Sequence, residues 1–265
     1  DGVVAANSLG RDFYLPQTIP VGGVSEGTLN DYSAKQSRFW MNIAADVAGH
    51  CVAGYVETDF QTATVTQGSE RTTNGYNMAL RRAYVQVDRL TIGQDWSTFQ
   101  YTGALPETTD FVGPTEGTVF VRQPLIRYSM PMGQGTTLHL SLENPETATF
   151  NQGSATLVEN DDDRVPDLAA RIHHTGSFGE LSLAGVVRQL SVINGTVDDQ
   201  ATGWGVSAGG KIFLNAAHSG DSLRDELGDR ELPGAESLIE RAQGIERLLD
   251  RPCALGGIQG RVDQN

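Results

Sequence analysis

The sequence predicts an all-β, antiparallel protein, and three observations carry that prediction. Residues 52–61 (VAGYVETDFQ) and 136–144 (TTLHLSLEN) alternate apolar and polar side chains, the period of a strand whose successive side chains point to opposite faces. Thirty-one Gly residues punctuate the chain, many in turn-forming clusters such as PMGQG at 131–135. No apolar run approaches the roughly 20 residues that a membrane-crossing helix requires.

The elements follow in order as a meander of hairpins. In the first predicted strand, 37–47, Phe39, Met41, Ile43, Ala45 and Val47 oppose Arg38, Trp40, Asn42, Ala44 and Asp46. A short turn at Ala48, Gly49 and His50 leads to 52–61, where Val52, Val56 and Phe60 oppose Tyr55, Glu57 and Asp59. Ala83, Val85 and Val87 then oppose Arg82, Tyr84 and Gln86. Alternation fails over 97–124, which holds Pro106, Pro114 and the acids Glu107, Asp110 and Glu116. An irregular stretch of that length is usually functional or disordered, and its content of Leu105, Phe111, Val112, Val119 and Phe120 argues against disorder. It is expected to pack against other parts of the protein.

A hairpin over 126–142 closes through 131–135, with Leu138, Leu140 and Leu142 on one face and Thr137, His139, Ser141 and Glu143 on the other. A second joins 168–174 to 181–190 through a turn at 175–180; its second limb alternates weakly, because Ala184 and Val186 fall on the polar face. In the last clear strand, within 203–214, Trp204, Val206, Ala208, Ile212 and Leu214 oppose Gly205, Ser207, Gly209 and Lys211.

Two architectures satisfy this pattern: a water-soluble sandwich whose apolar faces meet, and a membrane barrel whose apolar faces meet lipid. Only helices and closed barrels satisfy every backbone polar group in hydrocarbon. Several segments match the about 9 to 11 residues of a transmembrane strand, with Phe39, Trp40, Phe60, Tyr128 and Trp204 near their ends. The predicted polar faces are charged, carrying Arg38, Glu57, Asp59, Arg82, Arg127, Glu143, Arg171 and Arg188. Inside a barrel these charges would line water. The net charge of −14 argues against nucleic acid, whose phosphates call for a clustered basic surface.

Particular segments carry a family resemblance: AKQSRFW at 34–40, ERTTNGY at 70–76, LRRAYV at 80–85, GQDWSTF at 93–99, LPETTDF with VGPTEGTVFVRQPLIRY over 105–128, ENPE at 143–146, PDLAAR at 166–171 and GWGVS at 203–207. Together they resemble the DcaP-like porins of Gram-negative outer membranes, from about Gly10 to Asn215. The resemblance implies a homotrimeric antiparallel barrel of about 16 strands in a complete member, surrounded by outer-membrane lipid and lipopolysaccharide. It also implies diffusion of small anionic solutes such as dicarboxylates, no cofactor, and an inward-folded loop whose counterpart is 97–124. On that reading Arg38, Glu57, Asp59, Arg82, Arg127, His139, Glu143, Arg171 and Arg188 line the pore, while Glu107, Asp110 and Glu116 belong to the constricting loop.

No catalytic or metal constellation emerges from the sequence. Gly205-Val206-Ser207-Ala208-Gly209 spells a nucleophile elbow, but the only later His is His218, no acid lies between, and strand alternation runs through Ser207. The adjacent His173 and His174 should face opposite sides of a strand. Asp161-Asp162-Asp163 lacks calcium-loop spacing, and Asn194-Gly195-Thr196 would be an idle sequon in a bacterial protein. The two Cys are too few for a disulfide framework.

A soluble or surface β-protein binding carbohydrate or a partner through Trp40, Tyr84 and Trp204 is the alternative function. The start at Asp1, without Met or leader, fits a processed or partial N-terminus. Residues 1–218 are expected to form the barrel portion and 219–265 an atypical tail, in which Leu238, Ala242, Ile245 and Leu249 recur at helical spacing. A complete member would continue with strands to a terminal aromatic residue; this tail suggests a shifted reading frame or truncated gene and an incomplete barrel.

Overall fold

The structure is a computed structural model that describes residues 34–61, 75–105, 121–150, 157–160, 163–193, 198–213 and 257–263. Its strands are β1 (Arg38–Val47), β2 (His50–Asp59), β3 (Ala79–Val87), β4 (Leu90–Trp96), β5 (Arg122–Gly133), β6 (Thr136–Glu143), β7 (Thr147–Phe150), β8 (Leu157–Asn160), β9 (Asp167–Gly176), β10 (Gly179–Ile193), β11 (Asp198–Ile212) and β12 (Gly257–Asp263). Ten of them form one sheet in the order β11-β10-β9-β6-β5-β4-β3-β2-β1-β12, and β7 pairs with β8 in a separate hairpin. Every pairing is antiparallel. The meander is therefore the predicted one, interrupted by the β7–β8 excursion between β6 and β9.

Tight turns close the hairpins at one rim. Ala48 and Gly49 both take positive φ, 53° and 83°, the requirement of a two-residue turn whose twist matches the flanking strands. Gln134 and Gly135 do the same at 49° and 76°. The long connections, 60–78, 97–121 and 144–166, all leave from the opposite rim. Outer-membrane barrels share this asymmetry, with short periplasmic turns and long outer loops.

Register carries the two faces across the sheet. One row runs Val85↔Ile92↔Ile126↔Leu142↔Leu168↔Val187↔Trp204, entirely apolar. A row on the other face runs Ser129↔His139↔Arg171↔Ala184↔Ser207. Exposure is inverted relative to a water-soluble protein: Leu142 is 51% exposed and Trp204 78%, while Glu57 is 6%, Asp95 2% and Glu143 2% exposed. In water such an apolar sheet face would be an untenable patch; in hydrocarbon it is the buried side. The predicted Leu138, Leu140 and Leu142 meet no second sheet, since the only other sheet among the described residues is the two-stranded β7–β8 hairpin. The soluble-sandwich alternative has no partner layer to stand on.

The weakly alternating limb finds its explanation here. Ala184 is only 4% exposed and lies on the polar face opposite Arg171 and Ser207. Ser207 sits within β11, so the strand-to-helix turn of a nucleophile elbow is absent at that motif. His173 belongs to the polar row beside Thr137, and His174 stacks on Phe178 at 5.8 Å, so the two rings point apart as expected.

The sheet does not close, because β11 and β12 each lack a neighbour on one side among the described residues. The fold is an incomplete antiparallel barrel. Part of the predicted tail is strand: β12 pairs with β1 from Arg38↔Asp263 to Ala44↔Gly257. The helical spacing over 236–250 lies outside the described residues, as do Asp161, Asp162 and the 194–196 sequon. Asp163 is described, and its carboxylate accepts a hydrogen bond from the Thr147 hydroxyl at 2.6 Å. Cys51 is disulfide-bonded.

Candidate functional site

The polar face concentrates its chemistry in a lattice of alternating charge across β1 to β5. Arg81 donates from Nε to Glu57 at 2.6 Å and from a terminal nitrogen to Asp59 at 2.7 Å. Arg82 donates to Asp95 at 2.6 Å and lies 3.7 Å from Glu57, while Arg127 binds the other Asp95 oxygen and the Trp96 carbonyl. Arg38 approaches Glu57 and Asp59 at 3.7 and 3.8 Å. Tyr55 completes the first carboxylate, donating to Glu57 at 2.8 Å.

A β-bulge makes this lattice possible. Register shifts between Glu57↔Arg82 and Thr58↔Leu80, so Arg81 is the extra residue. A bulge sets two residues against one and re-aims the extra side chain. Both arginines therefore reach the polar face, and Leu80, 53% exposed, resumes the apolar one. Gln94 stabilises the disrupted ladder, its amide donating to the Leu80 and Arg81 carbonyls at 3.2 and 3.0 Å. Strict alternation from Ala83, Val85 and Val87 puts Arg81 on the lipid side, which is why sequence reasoning missed it. The signal was present: Arg81 and Arg82 are consecutive, and because a charge on the lipid face is disfavoured, consecutive Arg residues in a membrane strand point to a bulge.

An aromatic row stands on the same face. Trp40 stacks on Tyr55 at 6.4 Å and Tyr55 on Tyr84 at 5.2 Å, interplanar angles being 17° and 20°. The Arg82 guanidinium lies 4.8 Å from the Tyr55 ring and 5.4 Å from the Tyr84 ring. Rings spaced at nearly the separation of neighbouring strands spend their faces on one another and brace the wall. Gly93 makes room for the row: its φ is +138°, and an added Cβ would lie 2.6 Å from the Tyr84 Cα. Trp204 points to the opposite, apolar face, so Trp40, Tyr84 and Trp204 form no common binding surface.

The far wall holds the beginning of the long irregular segment. Glu143 accepts from the Ser97 hydroxyl at 2.6 Å, the Thr98 amide at 2.7 Å, the Ser141 hydroxyl at 2.7 Å and the Gln123 amide at 2.6 Å. Arg171 donates to the Gln100 carbonyl at 2.6 Å. Tyr101 donates to Glu180 and packs on the His173 ring at 5.0 Å. Phe99 reaches β11, where a Cβ at Gly205 would come within 3.3 Å of its ring. Residues 97–105 thus cross the polar face from β4 to β11, ending in a single 3-10 turn at Thr102–Ala104.

Every predicted wall residue lies on the polar side of its strand, but few are free charges. Arg82 and Arg127 share Asp95; Arg188 pairs with Asp167 at 3.2 Å and donates to the Glu146 carbonyl. His139 shares a hydrogen bond with Ser129 at 2.9 Å. Arg38 and Arg188, 29% and 31% exposed, are more open to solvent than Arg82 at 23% or Arg127 at 14%. Besides Arg81, the sequence reading passed over Asp95, Tyr101, Gln123 and Glu180, whose roles depend on cross-strand neighbours. Glu107, Asp110 and Glu116 lie outside the described residues.

Comparison with known proteins agrees with this geometry. The crystal structure of the outer membrane channel DcaP of Acinetobacter baumannii matches with a TM-score of 0.56 and 27% identity, over 72% of this chain and 52% of that one. The chain thus spans about half the length of that channel. No curated protein matches significantly. The family model described as "Porin subfamily" matches residues 7–217, a span that contains β1 to β11 and the whole charge lattice. The chain belongs to the porin subfamily, as an outer-membrane protein built on an incomplete antiparallel barrel.

Proposed function

We propose that the protein forms a water-filled channel for passive diffusion of small solutes, with a preference for anions such as dicarboxylates, as a homotrimer in a Gram-negative outer membrane. No catalytic step or cofactor enters this reading. One observation carries it: the charged face is the enclosed one, and the apolar face is left open for lipid and lipopolysaccharide. Fixed guanidinium groups along a water-filled passage lower the electrostatic barrier to an anion, and interleaved carboxylates keep the solute from dwelling. Arg38, Arg82, Arg127, Arg171 and Arg188 supply the attraction. Glu57, Asp59 and Asp95 temper it, which makes the preference graded. Glu107, Asp110 and Glu116 on the continuation of the inward segment would orient dipolar solutes.

The Arg82–Asp95–Arg127 group sets two cations against one anion, a local charge of +1. Replacing both arginines by Gln changes it to −1. The R82Q/R127Q form of the full-length gene product, reconstituted in planar bilayers under a KCl gradient, should show a reversal potential moved toward cation preference. An unchanged reversal potential removes these residues from the selectivity mechanism, and a protein released from the outer membrane without detergent would end the channel reading itself.

A further inference from the structure

We infer that Glu143 is the positioning residue that fastens the inward segment 97–105 to the barrel wall and thereby sets the cross-section of the passage; this rests on the channel reading above. Glu143 is 2% exposed and is among the largest fully buried side chains. Its two oxygens are filled by four neutral donors, two from the inward segment (the Ser97 hydroxyl and the Thr98 amide) and two from the wall (the Ser141 hydroxyl and Gln123). No cation pairs with it among the described residues, in contrast to Glu57, Asp59, Asp95 and Asp167 on the same face. A buried carboxylate with only neutral donors is costly unless each lone pair is satisfied. Here that satisfaction requires the segment to be in place, so the requirement holds the segment down.

The placement fits this role. Glu143 lies at the loop-bearing rim, opposite Asp167 where β9 begins. The segment enters there: Ser97 donates its amide to the Val121 carbonyl at 3.0 Å and Gln100 accepts from the Val121 amide at 2.8 Å, which closes the neck. From Glu143 the chain passes to Arg171, then to His173 and Glu180 beside the opposite rim. At about 3.3 Å per residue, the six residues from Asp167 to His173 correspond to a descent of roughly 20 Å along the wall. Releasing the rim attachment frees the upper limb while leaving the lower contacts of Tyr101 and Phe99.

The experiment compares the full-length protein with Glu143→Gln, Glu143→Asp and Ser97→Ala, reading single-channel conductance in bilayers and amide exchange in detergent. Glu143→Gln keeps the shape and turns one acceptor into a donor aimed at donors. Thr98 amide exchange should accelerate about tenfold or more, the equivalent of one charge-assisted hydrogen bond, while β6 amides keep their protection. Conductance should rise and broaden, with Glu143→Asp between Gln and wild type. Ser97→Ala removes a donor from the segment without touching the wall and should shift both readouts in the same direction, so the test survives if Glu143→Gln fails to insert. Wild-type conductance and wild-type Thr98 exchange in these variants would overturn the inference and leave the channel reading intact. A wild-type protein that forms no channel would overturn the channel reading and with it the effect on cross-section, whereas Thr98 exchange would still report whether Glu143 holds the segment.

Discussion

Removing Arg81 should destabilise the barrel more than any other single change among the wall arginines. Its side chain is 6% exposed and bridges Glu57 and Asp59, whose side chains are 8% and 1% exposed, by hydrogen bonds of 2.6 and 2.7 Å. Arg81→Met keeps much of the volume and removes both bonds. The remaining guanidinium groups stand 3.7 Å or more from the two carboxylates, too far for direct hydrogen bonds. Two charge-assisted bonds at about 1.5–3 kcal/mol each, or equivalently the loss of one partner from a buried ion pair at about 3–5 kcal/mol, give the same scale. We therefore expect a loss of about 3–5 kcal/mol in urea-titrated folding into lipid vesicles. Arg81→Met combined with Asp59→Asn should recover part of the loss, since the carboxylate that loses its direct guanidinium partner has been neutralised. A change below about 1 kcal/mol, the worth of an exposed ion pair, would refute the argument and place Arg81 in open water.

Other outcomes follow from the same geometry. Leu140→Arg puts a charge on the apolar face near the middle of β6 and should cost about 2–4 kcal/mol of folding free energy in vesicles; an unchanged titration would show that this face does not meet hydrocarbon. Gly93→Ala forces a side chain into the Ala83 carbonyl and Tyr84 backbone at a φ of +138°, and the strain should cost about 1–3 kcal/mol by the same measurement. At the tight-turn rim, the hydrogen bond from His50, followed by the Cys51 amide, holds the Asp88 carboxyl below its ordinary range. A depressed carboxylate stabilises the turn above the ordinary Asp value of about 3.9 and loses that contribution as pH falls through its lower folded value. Protection of the Cys51 amide, its exchange rate taken relative to the intrinsic rate at each pH, should therefore be retained at neutral pH and lost only under acid conditions, and Asp88→Asn should weaken that pH dependence.

Much of the fold was legible because the barrel's two solvents act on alternate residues. Period-2 alternation put Leu138, Leu140 and Leu142 on one side and His139, Ser141 and Glu143 on the other without knowledge of their neighbours, and the turns within 48–50 and 131–135 announced themselves through glycine. The weak alternation of 181–190 was equally informative: small side chains at the polar face are what remains where Arg171 and the inward segment need space. Strand pattern alone left sandwich and barrel open; the similarity of particular segments to known porins favoured the barrel, and the lack of a second layer against the apolar face among the described residues decided it.

The charge lattice was another matter. Local alternation indicates which face a charge occupies only while the strand stays regular; it does not determine where a bulge falls or which charge is met across the sheet, because register depends on turns and partners elsewhere. Arg81, which the strand pattern left unassigned, shows the limit, since one extra residue in β3 brings it to the charged face at the centre of the ion-pair network. Glu143 shows it again. Alternation placed it on the polar face, but only the chain's return over that face brought Ser97 and Thr98 within reach and made an expected wall charge into an anchor. Local periodicity was fixed by solvent; partnership was fixed by contacts distant in sequence, which only the folded chain brings together.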